Sequence, residues 1–154
     1  MRARTFLTGV VVALTVLTLV GAPSSAASPV VWVSAHVQDT GWLDPVPDGE
    51  VAGTTGQARR LEALQFTDPS IIAQGHVQNI GWMPESDVQV GTTGRSLRLE
   101  AVQLSARHEG WEVICQAHVE NLGWLPPVGD GEVCGTTGQS LRLEAVMLTI
   151  VRAE

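Results

Sequence analysis

Hydrophobic and polar residues alternate with a period of two along much of the chain. In one segment, apolar residues alternate with mostly polar ones: Val113, Cys115, Ala117 and Val119 against Ile114, Gln116, His118 and Glu120. One-sided alternation is typical of a half-buried antiparallel strand. Further along, Leu141, Leu143, Ala145 and Met147 are predicted to share one face, with Arg142 and Glu144 on the other. No segment has a convincing helical period, so the sequence predicts an all-β fold.

The pattern belongs to a unit that occurs three times, at about residues 30–67, 70–105 and 111–151. Each unit contains a segment ending in Gly-Trp (35–42, 75–82 and 117–124), then Gly-Thr-Thr-Gly (53–56, 91–94 and 135–138), then Arg-Leu-Glu-Ala (60–63, 98–101 and 142–145). No single unit is large enough to bury its own apolar face. We therefore predict one domain over residues 28–154, closed with pseudo-threefold symmetry and β-prism-like, with a β-trefoil as the alternative.

The ordered motifs His-Val-Gln, Gly-Trp, Gly-Thr-Thr-Gly and Leu-Glu-Ala resemble the ChW family, clostridial hydrophobic repeats with a characteristic Gly-Trp. The resemblance covers essentially all of residues 28–154. Departures are small: Asp39-Thr40 in the first unit, Glu120 for Gln in the third, and a shorter middle loop in the second. The resemblance implies a secreted or cell-surface protein that binds polysaccharide or protein.

Residues 1–27 are typical of a secretory signal peptide. Arg2 and Arg4 precede an apolar stretch over 5–20, and small residues follow at 25–27. The alternative is a retained membrane anchor, but the apolar stretch is marginal in length for one. We expect cleavage after Ala27 and a secreted or cell-surface product without membrane attachment.

Cys115 and Cys134 are the two cysteines of the chain. An even number in an exported chain favours a disulfide, although the small or apolar residues that replace them in the other units also allow two buried thiols. Two sulfurs without convergent histidines do not make a zinc site, so we expect no metal and no cofactor.

Charge narrows the choice of partner. After signal removal, seven arginines oppose sixteen acidic residues, which gives a net charge of −9. Nucleic acid and anionic lipid both require a basic surface, so neither is an expected partner. The partners that the resemblance implies, polysaccharide or a cell-surface protein, need no basic surface.

Two kinds of repeated residue are candidates for ligand binding. Trp42, Trp82 and Trp124 are either stacking platforms for sugars or the aromatic centre of the core, and we favour the core. The polar candidates are His36, Gln38, Arg60 and Glu62 in the first unit, His76, Gln78, Arg98 and Glu100 in the second, and His118, Glu120, Arg142 and Glu144 in the third.

Two-residue spacing places each polar pair on one strand face, where a cluster could hydrogen-bond ligand hydroxyls. The alternative is architectural: an Arg–Glu pair that fixes strand register, with His capping a backbone group. We expect Arg98 and Glu100 to matter most for folding. Gly-Thr-Thr-Gly lacks the Lys and helix of a phosphate loop, and predicts a tight turn instead.

The triplicated polar residues do not form the asymmetric constellation that catalysis requires. We therefore expect a lectin-like carbohydrate-binding module and not an enzyme. A protein-interaction or structural module of the cell surface is the alternative.

Overall fold

The fold is known from a computed structural model that describes residues 30–154. Within this range the chain forms thirteen β-strands and no helix, which confirms the all-β class. Accordingly, the described residues include no helix capable of crossing a membrane. The signal peptide predicted for residues 1–27 lies outside the described residues.

The strands follow the three repeated units, here called units one, two and three. Unit one contributes β1 (Trp32–Val37), β2 (Gly41–Trp42), β3 (Val46–Pro47), β4 (Val51–Gly53) and β5 (Leu61–Phe66). Unit two contributes β6 (Ile71–Val77), β7 (Gly81–Trp82), β8 (Gln89–Gly91) and β9 (Leu99–Ala106). Unit three contributes β10 (Trp111–Val119), β11 (Gly123–Trp124), β12 (Val133–Gly135) and β13 (Leu143–Arg152).

Three antiparallel sheets result, each built around the two long strands of one unit. Sheet 1 has the order β2-β1-β5-β8, with β3 also paired to β1. Sheet 2 has the order β7-β6-β9-β12, and sheet 3 the order β11-β10-β13-β4. The first and last strands of a unit are thus neighbours, as the shared polar face of each unit required.

In every unit one short strand, here called the middle strand, pairs with the sheet of another unit and not with its own. Strand β8 of unit two completes sheet 1, β12 of unit three completes sheet 2, and β4 of unit one completes sheet 3. Each unit therefore depends on a neighbour for its fourth strand, in a cycle that includes all three.

One hydrophobic cluster contains buried side chains from all three units, among them Leu64, Leu104 and Leu148. The predicted alternation in β10 is confirmed, since Val113, Cys115, Ala117 and Val119 are all buried. The three sheets therefore share a core.

The predicted faces of the last strand are wrong from Ala145, its third residue, onward. In β13, Leu143 lies opposite Val119 but Ala145 lies opposite His118, so Glu144 is an extra residue in a β-bulge. The extra residue reverses the faces that follow. Val146 and Leu148 consequently point to the core, while Met147 lies half-buried on the outer face.

The predicted disulfide between Cys115 and Cys134 is confirmed, with a Cα–Cα distance of 6.0 Å. Both cysteines belong to unit three, but Cys115 is in sheet 3 and Cys134 is in sheet 2. The bridge therefore links two sheets covalently.

Candidate functional site

The tryptophans of the Gly-Trp pairs lie on the surface. Their exposed fractions are 40 % for Trp42, 36 % for Trp82 and 39 % for Trp124. The interpretation that they form the centre of the core is therefore wrong. In each unit the Asp/Asn-x-Gly turn folds the chain back, so that tryptophan pairs with the histidine of the preceding strand. Opposite residues share a face, and the histidine faces outward.

Each tryptophan meets its histidine edge to face. The ring centroids are 5.2 Å apart in units one and two and 5.3 Å apart in unit three, with interplanar angles of 78–82°. This contact fixes the orientation of the indole. A flat apolar surface is thereby held beside polar groups.

The carboxylate beside each histidine is buried: Glu62, Glu100 and Glu144 are only 5–6 % exposed. In unit one, Arg60 donates from Nε and Nη2 to the same oxygen of Glu62, at 2.9 and 2.6 Å. Unit two repeats this arrangement at 3.0 and 2.6 Å, and unit three at 3.1 and 2.8 Å. Removing the arginine would leave the buried carboxylate unpaired, which costs about 3–5 kcal/mol.

The second carboxylate oxygen faces the histidine. The Nδ1–Oε2 distance is 3.1 Å for His36 with Glu62 and for His76 with Glu100, and 3.2 Å for His118 with Glu144. No hydrogen bond joins the two groups, and Nδ1 is buried without a hydrogen-bond partner among the described residues. The imidazole therefore lies in contact with the buried carboxylate. We call tryptophan, histidine, glutamate and arginine together the Trp–His–Glu–Arg cluster of each unit.

A β-bulge brings these groups together. In unit one the register shifts between His36 and Val37, so that Glu62 and Ala63 both oppose His36. Units two and three have the same shift. The sequence predicted that Arg and Glu share a face, but not the bulge, because Leu-Glu-Ala carries no turn or glycine signal for one.

The bulge of each unit is also hydrogen-bonded to the backbone of a neighbouring unit. The backbone N–H of Thr92 donates to the carbonyl of Glu62 at 2.9 Å, and Thr54 and Thr136 bond Glu144 and Glu100 in the same way at 3.0 Å. These threonines belong to the Gly-Thr-Thr-Gly segments. Their hydroxyls are buried without a hydrogen-bond partner among the described residues. Every cluster therefore lies against a second unit.

The first glycine of Gly-Thr-Thr-Gly makes this approach possible. At Gly53, Gly91 and Gly135 the backbone has φ values of 120°, 89° and 120°. A Cβ there would lie no more than 2.6 Å from the facing glutamate carbonyl oxygen. The motif is a close backbone contact between units, as its glycines suggested.

The last of the predicted polar residues, two positions after the histidine, has different contacts in the three units. Gln38 and Gln78 form no side-chain hydrogen bond within residues 30–154, while their backbone N–H groups bond Arg60 and Arg98. Glu120 instead forms an ion pair with Nη1 of Arg142, which already bonds Glu144. The arginine of unit three is therefore held by two carboxylates, and its site carries one more negative charge.

Two further kinds of feature, metal sites and titratable groups with shifted pKa values, add nothing to the clusters. The described residues include no group of three or more His, Cys, Asp or Glu side chains that could hold a metal ion. Asp68, in the turn between units one and two, has its pKa lowered by hydrogen bonds from the hydroxyl and backbone N–H of Ser70. That turn contributes nothing to the clusters.

Comparison with known proteins identifies the family. A family model described as "Clostridial hydrophobic W" matches residues 36–66, 76–105 and 118–152. The matches cover more than half of the chain, so the protein belongs to the ChW family, as its motifs indicated. Comparisons with curated proteins and with solved structures gave no match.

Proposed function

We propose that the protein is a secreted or cell-surface carbohydrate-binding module with one site at the Trp–His–Glu–Arg cluster of each unit. The observation that carries the proposal is the exposed indole held edge to face by a histidine, beside a buried Arg–Glu pair. An apolar face suits the ring of a sugar, and oriented polar groups suit its hydroxyls.

Within each cluster, the groups divide their roles. The buried carboxylate holds the guanidinium through Nε and Nη2. The tryptophan, the outer edge of the histidine and the remaining guanidinium donors are accessible to a ligand. Three such sites on one rigid body favour a repeating polymer, since several weak contacts then act together. Binding without turnover follows from triplication, because no cluster has an asymmetric catalytic partner.

The arrangement of the sheets supports a pseudo-threefold β-prism. Each sheet turns one face to the shared core and the other to solvent, and the middle strands are exchanged in a cycle. A β-trefoil, in which hairpins cap a single barrel, accords less well with three separate sheets.

A protein ligand is the second candidate, and a particular observation favours it. Ile80 and Leu122, which precede the Gly-Trp pairs of units two and three, are 43 % and 51 % exposed. They widen the apolar surface beside Trp82 and Trp124. Unit one has Thr40 at this position, so a protein partner would prefer units two and three.

A glycan array with the purified protein tests the proposal, followed by titration of the ligands that bind. Replacing Trp42, Trp82 and Trp124 together by Ala should abolish binding, and replacing one should weaken it partly. Trp32→Ala is the matched control, because Trp32 is 44 % exposed but lies outside the clusters. Unchanged glycan binding by the triple variant, with the fold intact by circular dichroism, would refute the proposal.

A further inference from the structure

We propose that the sugar site of unit two continues into a neighbouring pocket on sheet 2, which binds one further neutral sugar ring. This inference rests on the proposed carbohydrate binding. The pocket has a volume of about 180 Å³ and is lined by Ile72, Gln74, Glu85, Gln103, Ser105 and Gly131.

The floor of the pocket is the outer face of two paired strands. Gln74 of β6 lies opposite Gln103 of β9, and Ile72 lies opposite Ser105. All four side chains are partly accessible, in contrast to the buried residues between them. The floor is therefore part of the same face that carries His76.

Two different units form the walls. On one side, the segment after Trp82 runs along β6, with Met83 N–H bonded to Gly75 at 2.9 Å and Ser86 paired with Ala73. On the other side, the loop of unit three is tied to β9. Gly131 N–H donates to Leu104 at 2.8 Å, and the Gln103 amide donates to the Gly131 carbonyl at 3.1 Å.

The pocket lies next to the Trp–His–Glu–Arg cluster of unit two along the outer face of β6. Gln74 and His76 are two residues apart on one strand, and so are separated by roughly 6.6 Å along the same face. Trp82 lies opposite His76, and the wall segment begins at Trp82 itself. A chain stacked on Trp82 would thus place its next ring over Gln74.

The lining identifies the kind of ring. Two amides and a hydroxyl both donate and accept hydrogen bonds, and the carboxylate of Glu85 accepts them. No cationic side chain lines the pocket, so it offers nothing to pair with sulfate, phosphate or uronate. The volume is below the roughly 300–1,000 Å³ of sites for larger ligands, which limits the occupant to one ring.

Differences between the units explain why this pocket belongs to unit two. The loop between its tryptophan and its middle strand, 83–88, is two residues shorter than the corresponding loops 43–50 and 125–132. In sheet 3 the residue equivalent to Gln74 is Gln116, whose amide bonds the carbonyl of Leu125 in its own loop at 2.9 Å. In sheet 1 the equivalent residue is Ser34, which is buried.

The test uses the protein with Trp42→Ala and Trp124→Ala, so that unit two supplies the remaining cluster. Neutral gluco-, manno- and galacto-sugars of one and two rings are titrated by calorimetry. We expect the two-ring form of at least one series to bind more tightly than its one-ring form. Adding Gln74→Ala should weaken two-ring binding about threefold to tenfold, as expected for one or two lost hydrogen bonds, and leave one-ring binding unchanged.

The controls separate this inference from the function on which it rests. Gln65→Ala, on the equivalent face of sheet 1, should change nothing, and Glu85→Gln should retain binding of a neutral ring. Two-ring binding that is insensitive to Gln74→Ala but lost with Trp82→Ala would overturn the pocket alone. Insensitivity to Trp82→Ala would overturn the proposed function. Preference for charged two-ring probes, or no binding by any neutral series, would overturn the neutral ring.

Discussion

Two positions in every unit, other than glycines, have left-handed backbone. The first is in the turn before Gly-Trp and holds Asp39, Asn79 or Asn121, residue types that tolerate this conformation. The second follows Gly-Thr-Thr-Gly and holds Ala58, Ser96 or Ser140, with φ between 53° and 56°. Alanine has no polar side chain to offset the strain, so unit one is locally strained at Ala58.

Replacing Ala58 by Gly should stabilise the protein. Removing the backbone strain of a left-handed alanine stabilises the folded state by about 1–2 kcal/mol. The greater conformational freedom of glycine in the unfolded chain offsets part of this gain. We expect a net gain of about 0.5–1 kcal/mol in the free energy of unfolding, measured by urea denaturation. Gln57→Gly is the matched control, because Gln57 is also exposed but has no positive φ. This variant should lose about 0.5–1 kcal/mol in the free energy of unfolding. A loss of stability in Ala58→Gly would contradict the strain.

At the scale of the strand, alternation of apolar and polar residues predicts which residues face the core only where the strand pairing is regular. The faces of β10 follow directly from Val113 to Val119. The faces of β13 do not, because Glu144 is an extra residue in the strand pairing and reverses them, and nothing in Leu-Glu-Ala distinguishes a bulge from regular pairing. The exposure of tryptophan was missed for a related reason: a two-residue strand such as Gly41–Trp42 is too short to show a periodicity.

The candidate site could be predicted to the same extent. Repetition singled out His36, Arg60 and Glu62, and the structure brings them together because the first and last strands of the unit are paired. The partner strand of each unit could not be predicted, since the three residues Val51–Gly53 carry no information about which sheet they join. The contact between Thr54 and Glu144 follows from that exchange.

One difference between the clusters has a testable consequence. Arg142 is held by both Glu120 and Glu144, whereas Arg60 and Arg98 each pair with one carboxylate. The guanidinium of unit three has fewer free donors for a ligand hydroxyl. Unit three should therefore be the weakest of the three proposed sites.

Glu120→Gln should strengthen binding at unit three about threefold to tenfold, because one or two donors of Arg142 are released. The measurement is calorimetric titration with a bound glycan, in protein whose Trp42 and Trp82 are replaced by Ala. Gln78→Glu, with Trp42 and Trp124 replaced instead, is the reciprocal variant and should weaken unit two. Equal affinities in all four proteins would show that Arg142 does not limit binding.

At the scale of the whole molecule, the cyclic exchange of middle strands makes the three units interdependent. Loss of one unit would leave a neighbouring sheet without its edge strand and expose the shared core. The disulfide adds a covalent link at one of three equivalent contacts between sheets, where β10 meets β12. The other two contacts, β1 with β4 and β6 with β8, have no such bridge.

A second disulfide should form at the equivalent contact of unit one. Val33 and Ala52 occupy the positions of Cys115 and Cys134 in the repeat, and both are buried, at 2 % and 5 % exposure. Val33→Cys with Ala52→Cys should therefore oxidise without moving the backbone and link sheet 1 to sheet 3. A loop of this length gives about 3 kcal/mol of stabilisation. The mass of the non-reduced, alkylated protein reports the bond, and denaturant unfolding reports the gain in stability.

Val33→Cys with Val90→Cys is the mismatched control. Strand β5 lies between β1 and β8 and separates them by about 9.6 Å, beyond the reach of a disulfide. If the mismatched pair oxidised and the matched pair did not, the equivalence of the three contacts would be wrong.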